Sequence, residues 1–166
     1  MYLLARAADF TATGDRYKQL FEALQDMVFM TTPSGDLLEI NQTGVETLGY
    51  SGKAQIVGIP MKRHYANPSD RRRLISLLDD KGSVKDFEIR FAGKDGREIW
   101  VWITAHARKD DEGQVVYYKK IIKDVSSRKK LEDQLIEKNR LLERYSQEIR
   151  KERDQTLTAV ALMKPP

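Results

Sequence analysis

The spacing of apolar positions divides the chain into segments of different period. Tyr17, Leu20, Phe21 and Leu24 recur three and four residues apart and predict a short amphipathic helix over residues 16–25. Residues 27–32 and 37–40 are β-prone and flank the turn tetrad Pro33-Ser34-Gly35-Asp36, which predicts a hairpin. A helix is expected to begin at Asn41. From there to Asp80, Gly44, Gly49, Gly52, Gly58, Pro60 and Pro68 break the pattern into one- or two-turn helices. The best of them starts at Pro68 or Ser69, with Ser69 as cap and Leu74, Leu77 and Leu78 as its buried stripe.

Period two takes over at Ser83. Phe87, Ile89 and Phe91 alternate with Glu88 and Arg90, and Ile99, Val101 and Ile103 alternate with Trp100, Trp102 and Thr104 across the turn at 93–96. A second turn at 110–113 leads to a third strand over 115–123. Two strands, a helical crossover and three strands predict an α+β domain around one five-stranded antiparallel sheet.

Residues 126–157 contain no Gly or Pro and are dense in Glu, Lys, Arg, Gln and Leu. Leu135, Leu142, Ile149 and Thr156 fall seven apart, and Leu131, Lys138, Tyr145 and Glu152 stand four before each of them. One set is apolar and the other half polar, which predicts a marginal two-stranded coiled coil; a single solvated helix is the alternative. The division expected is an N-terminal segment 1–15, a domain 16–127, a coiled-coil helix 128–160 and a truncated tail 161–166. A homodimer would use Tyr17, Leu20, Phe21 and Leu24 together with Leu131, Leu135, Leu142, Tyr145 and Ile149.

With 166 residues, one core is expected. Net charge is +4, from 29 basic and 25 acidic residues interspersed along the chain, so no nucleic-acid partner is expected. Cysteine is absent, which removes disulfides, thiolate metal sites, cysteine nucleophiles and cysteinyl-flavin photochemistry together. No apolar run approaches the ~18 residues of a membrane span, and residues 1–10, with Arg6 and Asp9, lack a signal-peptide pattern. A cytoplasmic location without membrane contact is therefore expected. The two histidines, His64 and His106, have no second ligand at metal spacing, and no nucleophile stands with an acid–base partner. Neither a metal site nor enzymatic activity is expected.

From about Arg16 to Lys130 the chain resembles a PAS (Per-Arnt-Sim) sensory domain. The resemblance rests on the order and spacing of Tyr17-Lys18-Gln19-Leu20-Phe21, Asp26-Met27-Val28-Phe29, Pro33-Ser34-Gly35, Asn41-Gln42-Thr43-Gly44, Leu48-Gly49-Tyr50-Ser51 and Val57-Gly58. It continues in Asn67-Pro68-Ser69-Asp70-Arg71, Phe87-Glu88-Ile89-Arg90, Lys94-Asp95-Gly96, Trp100-Val101 and Asp124-Val125-Ser126 with Arg128-Lys129. The helix that follows is similar to the signalling linkers before histidine kinases or diguanylate cyclases. Glu152-Arg153-Asp154 departs in its third residue from the Glu-Arg-Thr such linkers often carry.

The resemblance implies a sheet with helices over one face, a central last strand, and a ligand pocket between them. The pocket candidates are Phe29, Tyr65, Leu74, Phe87, Ile89, Phe91, Val101, Ile103, Tyr118, Lys120 and Ile122. Asp124, Ser126 and Arg128 would relay the signal to a linked effector. Related haem sensors carry an axial histidine in the long helix, here 70–80, and this chain has none there; the cofactor stays unknown.

Alternation on the last strand places Lys120 with Tyr118 and Ile122. An ammonium on the inner face would require an anion, which suggests a small carboxylate ligand; a rim position, an acidic partner or a bulge would dispense with it. The opposite face carries Trp100, Trp102, Tyr117 and Ile121, which the helix 16–25 is expected to cover. The functional expectation is a sensor domain relaying a signal through a dimeric coiled coil. A ligand-free dimerisation and protein-interaction module is the alternative.

Overall fold

The first hairpin forms where its turn chemistry requires it. Met27–Thr31 (β1) and Leu37–Ile40 (β2) pair antiparallel. Between them Thr32 donates its N–H to the Asp36 carbonyl (2.9 Å), and the Ser34 hydroxyl donates to the Asp36 carboxylate (2.6 Å). Gly35, at φ +99°, occupies the left-handed region that side chains disfavour. The computed structural model describes residues 14–163, and 14–23 form a helix, α1. The expected segment 1–15 thus lies almost wholly outside the described residues.

Asn41 caps α2 (Gln42–Thr47) by accepting from the Gly44 N–H (3.0 Å). A Cβ at Gly44 would come within 2.9 Å of Ile40 and Met27 side chains, so its absence lets α2 lie directly on the hairpin. α3 (Lys53–Ile56), a 3₁₀ turn (Met61–His64) and α4 (Pro68–Lys81) complete the crossover. The cap of α4 corrects the sequence expectation. Asn67, not Ser69, is the cap: its Oδ1 accepts from the Ser69 N–H (3.0 Å) and the Ser69 hydroxyl (2.8 Å), and Pro68 sits in the first turn. A Pro there gives up only an N–H that no helical carbonyl could have received.

β3 (Ser83–Ala92), β4 (Glu98–Lys109) and β5 (Val115–Asp124) join the hairpin in one antiparallel sheet of order β2-β1-β5-β4-β3. β5 is central, as expected. Between Val84 and Phe87 one extra residue bulges from β3, with Asp86 at φ 52°. Beyond the bulge Phe87, Ile89 and Phe91 stand opposite Ile103, Val101 and Ile99. The inner face packs Phe29, Ile89, Phe91, Val101, Ile103 and Ile122 against Val45, Leu48, Ile56, Leu74 and Leu78. Each such side chain withdrawn from water stabilises the fold by roughly 1.5–3 kcal/mol.

α1 is held at its end by Asn41, whose amide donates to the carbonyls of Phe21 (3.3 Å), Leu24 (3.4 Å) and Asp26 (2.9 Å). Glu22 pairs with Lys53, and the Tyr17 hydroxyl donates to Glu39 (3.4 Å). These partners lie on β2, at the cap of α2 and on α3, and Tyr17 also lies within electrostatic reach of Tyr117, one of the outer-face residues that the helix is expected to cover. Trp100 and Trp102 are half-buried beside β3 side chains: Trp102 donates to Glu88 (2.9 Å), and the Arg90 guanidinium lies 5.6 Å from the Trp100 ring centre.

The sheet belongs to a unit that ends at Ser126, and a second unit runs on from Ser127. α5 (Ser126–Leu162) supplies the second unit as a 37-residue helix with no buried residue. Among the described residues no helix is long and apolar enough to cross a membrane.

Candidate functional site

Strict alternation governs β5. Lys119 and Ile121 are exposed, while Tyr118, Lys120 and Ile122 turn inward. Lys120 stands opposite Phe29 on one neighbouring strand and Ala105 on the other, without a bulge. It is 2% exposed. Its ammonium donates to the Thr31 hydroxyl (2.9 Å) and lies 5.2 Å from the ring centres of both Phe29 and Tyr118. Burial, reinforced by repulsion from Arg71, pushes its pKa down to about 7.

The groups around Lys120 form a polar island in an apolar core. The Tyr118 hydroxyl donates to Asp79 on α4 (2.6 Å), and burial foremost drives the pKa of Tyr118 and of nearby Tyr65 upward. Arg71 acts on both tyrosines and on Lys120. It is half-buried, and its Nη2 donates to the Pro33 carbonyl (3.2 Å) across the turn. Sequence reasoning missed Arg71, Thr31 and Asp79. Thr31 was within reach, since it shares a face with Phe29 two residues away; nothing in the run Arg71-Arg72-Arg73 tells which guanidinium turns inward.

Of the other pocket candidates, Phe29, Tyr65, Leu74, Ile89, Phe91, Val101, Ile103, Tyr118 and Ile122 are buried in one cluster. Phe87 is half-buried at its margin, with the Arg73 guanidinium 5.2 Å from its ring centre.

His64 has a structural position. Its Nδ1 is 2.8 Å from the Ala92 carbonyl, which can only accept, so Nδ1 carries the proton and Nε2 accepts from the Tyr50 hydroxyl (3.3 Å). Burial lowers its pKa and favours this neutral ring. Tyr50 and His64 line a cleft of about 280 Å³ with Gln55, Ile59, Arg63, Gly93 and Lys94. Among the described residues no group of His, Asp and Glu could hold a metal ion.

At the end of β5, Asp124 Oδ1 accepts the Ser126 N–H (2.8 Å), and Ser126 Oγ accepts the Trp100 N–H (3.0 Å). The Val125 N–H donates to the Trp100 carbonyl (2.8 Å). Both backbone groups of Trp100 are thereby tied to the residues entering α5. Arg128 pairs with Glu132 one turn on (2.8 Å). Leu131, Leu135, Leu142, Tyr145 and Ile149 are all exposed, as are Tyr17, Leu20 and Leu24. Phe21 is buried within its own chain, stacked at 5.7 Å on Tyr17.

The family model described as PAS fold matches residues 15–125. Sporulation kinase C of Bacillus subtilis (strain 168) is 27% identical over 142 residues, which cover 81% of this chain and 33% of that kinase. The chain thus spans about a third of the length of this relative. Among solved structures, the PAS domain of a protein from Colwellia psychrerythraea is similar with a TM-score of 0.60 at 23% identity, over 68% of this chain and 97% of that one. A sensory box histidine kinase/response regulator from Burkholderia thailandensis E264 gives a TM-score of 0.59 at 19% identity, over 78% and 98%. At these identities the two structures establish likeness of fold.

Proposed function

The chain belongs to the PAS-fold family, and from that membership we propose that it is the sensory input domain of a longer signal-transduction protein, relaying a conformational signal through a dimeric α5. The similarity to sporulation kinase C favours a histidine kinase over a diguanylate cyclase as the linked effector. Neither histidine of this chain lies in α5, so a histidine phosphoacceptor would stand outside that helix.

The observation that carries the reading is the junction at Trp100. β4 borders the central strand, its inner face lies over the buried cluster, and Trp100 is bonded through both N–H and C=O to Ser126 and Val125. A displacement of β4 would therefore be felt at Val125 and Ser126, from which α5 starts. Coupling of this kind requires a signal with different affinity for two states of the domain.

The test uses the absence of cysteine. Single cysteines placed from 131 to 149 in the full chain should form intermolecular disulfides with a seven-residue period peaking at 135, 142 and 149. Ser126→Ala should flatten or shift that pattern. Cross-linking without periodicity, or with one that ignores Ser126, would remove the relay.

One observation favours the ligand-free alternative: Phe29, Leu74, Phe91, Val101 and Ile103 have no solvent exposure, so protein side chains fill much of the inner face. A carboxylate titration decides between the two.

A further inference from the structure

The cleft beside Tyr50 and His64 lies apart from the inner face of the sheet, since none of Phe29, Ile89, Phe91, Val101, Ile103 and Ile122 lines it. Its walls are pieces of the crossover and one turn. Tyr50 follows α2, Gln55 stands on α3, Arg63 and His64 belong to the 3₁₀ turn, and Lys94 lies in the turn between β3 and β4. That turn is pinned to the crossover, because the Lys94 N–H donates to the Leu48 carbonyl (2.8 Å).

The charge of the cleft has one sign. Arg63 and Lys94 line it, no carboxylate does, and among the described residues neither cation enters an ion pair. A concave site lined by cations alone concentrates anions. The Lys94 ammonium is held at the cleft: it donates to Gln55 Oε1 (3.2 Å) and lies 5.4 Å from the Tyr50 ring centre. An ammonium has three donors, so Gln55 leaves others for a ligand. Tyr50 and His64 are 7% and 3% exposed and form a fixed inner wall.

We propose that this cleft binds a phosphate group, with Arg63 and Lys94 supplying the charge. A guanidinium offers a phosphate two parallel N–H groups, and an ammonium adds a point charge. A phosphate ester carries about −1.5 to −2 at neutral pH, which answers both cations where a monocarboxylate answers one. The volume of about 280 Å³ falls just below the ~300–1,000 Å³ of sites for drug-sized ligands, so the group arrives as the free ion or on a small body. Bound phosphate would join the crossover to the turn that leads into β4, the strand that carries Trp100. Its use as a signal rests on the sensor reading, while the site is testable alone.

The test is calorimetric titration of the full chain with inorganic phosphate, glycerol 3-phosphate and acetate at one ionic strength, on wild type, Arg63→Gln, Lys94→Gln and Lys62→Gln. Arg63, Lys94 and Lys62 are exposed, so the substitutions spare the core, and Lys62 neighbours Arg63 without lining the cleft. Phosphate or its glycerol ester should bind wild type saturably, and whichever binds more tightly identifies the free ion or the ester as the source. Affinity should fall about tenfold or more in Arg63→Gln and in Lys94→Gln and stay unchanged in Lys62→Gln. The His64 ring resonances should shift with the same midpoint as the heat. The site is refuted if neither phosphate binds, if acetate binds as tightly, or if Lys62→Gln weakens binding as much as Arg63→Gln does. Unmoved His64 resonances would place the anion elsewhere and refute it equally. Periodic α5 cross-linking without phosphate binding would discard this site and leave the relay standing; the reverse would discard the relay alone.

Discussion

In the sheet unit Phe29, Leu74, Phe91, Val101 and Ile103 lose all contact with solvent, whereas in α5 Leu131, Leu135, Leu142 and Ile149 keep 60–65% of theirs. The first set is distant in sequence and closes on itself through strand register and the crossover helices. The second set is local and has only its own helix to lie along. Each leucine left at the surface forgoes about 1.5–3 kcal/mol of stabilisation, while exposed pairs such as Arg128–Glu132 return about 0.3–0.5 kcal/mol. The sheet unit therefore buries its apolar side chains within one chain, and the helix leaves its apolar side chains exposed.

The largest effect should come from breaking that second region while sparing the first. Leu135→Glu with Leu142→Glu places like charges in the seam, where pairing requires apolar contact. Sedimentation should shift from dimer to monomer, and far-UV circular dichroism should lose helix while the tryptophan near-UV signal stays. A dimer that survives both substitutions would move the interface to Tyr17, Leu20 and Leu24.

A smaller effect sharpens the contrast from the other side, because the sheet unit buries the basic side chain of Lys120 among its apolar ones. An unfolded lysine titrates near ~10.4, and burial brings Lys120 to about 7. Between these values the unfolded chain binds more protons than the folded one, so stability rises with pH. Below pH 7 the cost is full and constant. Tyr17, Tyr65 and Tyr118, whose pKa values are raised, act in the opposite sense as pH nears their unfolded range of ~10. The useful window is thus pH 7 to 9. There the wild-type melting temperature should climb and that of Lys120→Met should not, with the mutant equal or more stable at pH 7 by up to about 1–4 kcal/mol, the range seen when buried charges yield to apolar groups. Parallel pH curves would show that Lys120 stays charged in the fold.

Much of this was legible in the sequence because it depends on period and on turn chemistry. Alternation alone put Lys120 beside Tyr118 and Ile122, and the run without Gly or Pro marked the helix α5. What was not legible depends on which non-local groups meet. Asn41 reads as a helix start, yet its side chain also holds Val28 and the end of α1, because one buried amide offers both donors and an acceptor. Arg71 looks like its two neighbours until α4 is laid across the turn at Gly35. The cap of α4 was misplaced by two residues since Asn67 and Ser69 both favour capping, and geometry selects Asn67.

The smallest effect concerns the point where the two regions meet. Ser126→Ala removes the acceptor for the Trp100 N–H but leaves the Val125 N–H on the Trp100 carbonyl. A neutral hydrogen bond of this kind contributes about 1 kcal/mol, so the domain should remain folded with a slightly lower melting temperature. The sharper readout is local. Hydrogen exchange at the Trp100 amide should accelerate about fivefold, the equivalent of that 1 kcal/mol, while the Val125 amide and the inner-face amides of β4 keep their protection. Ser126→Thr, which restores an oxygen at the same place, should recover the wild-type rate. If Trp100 exchanges as slowly in Ser126→Ala as in wild type, the Trp100 amide is protected without the Ser126 hydroxyl, which then serves only to start the helix.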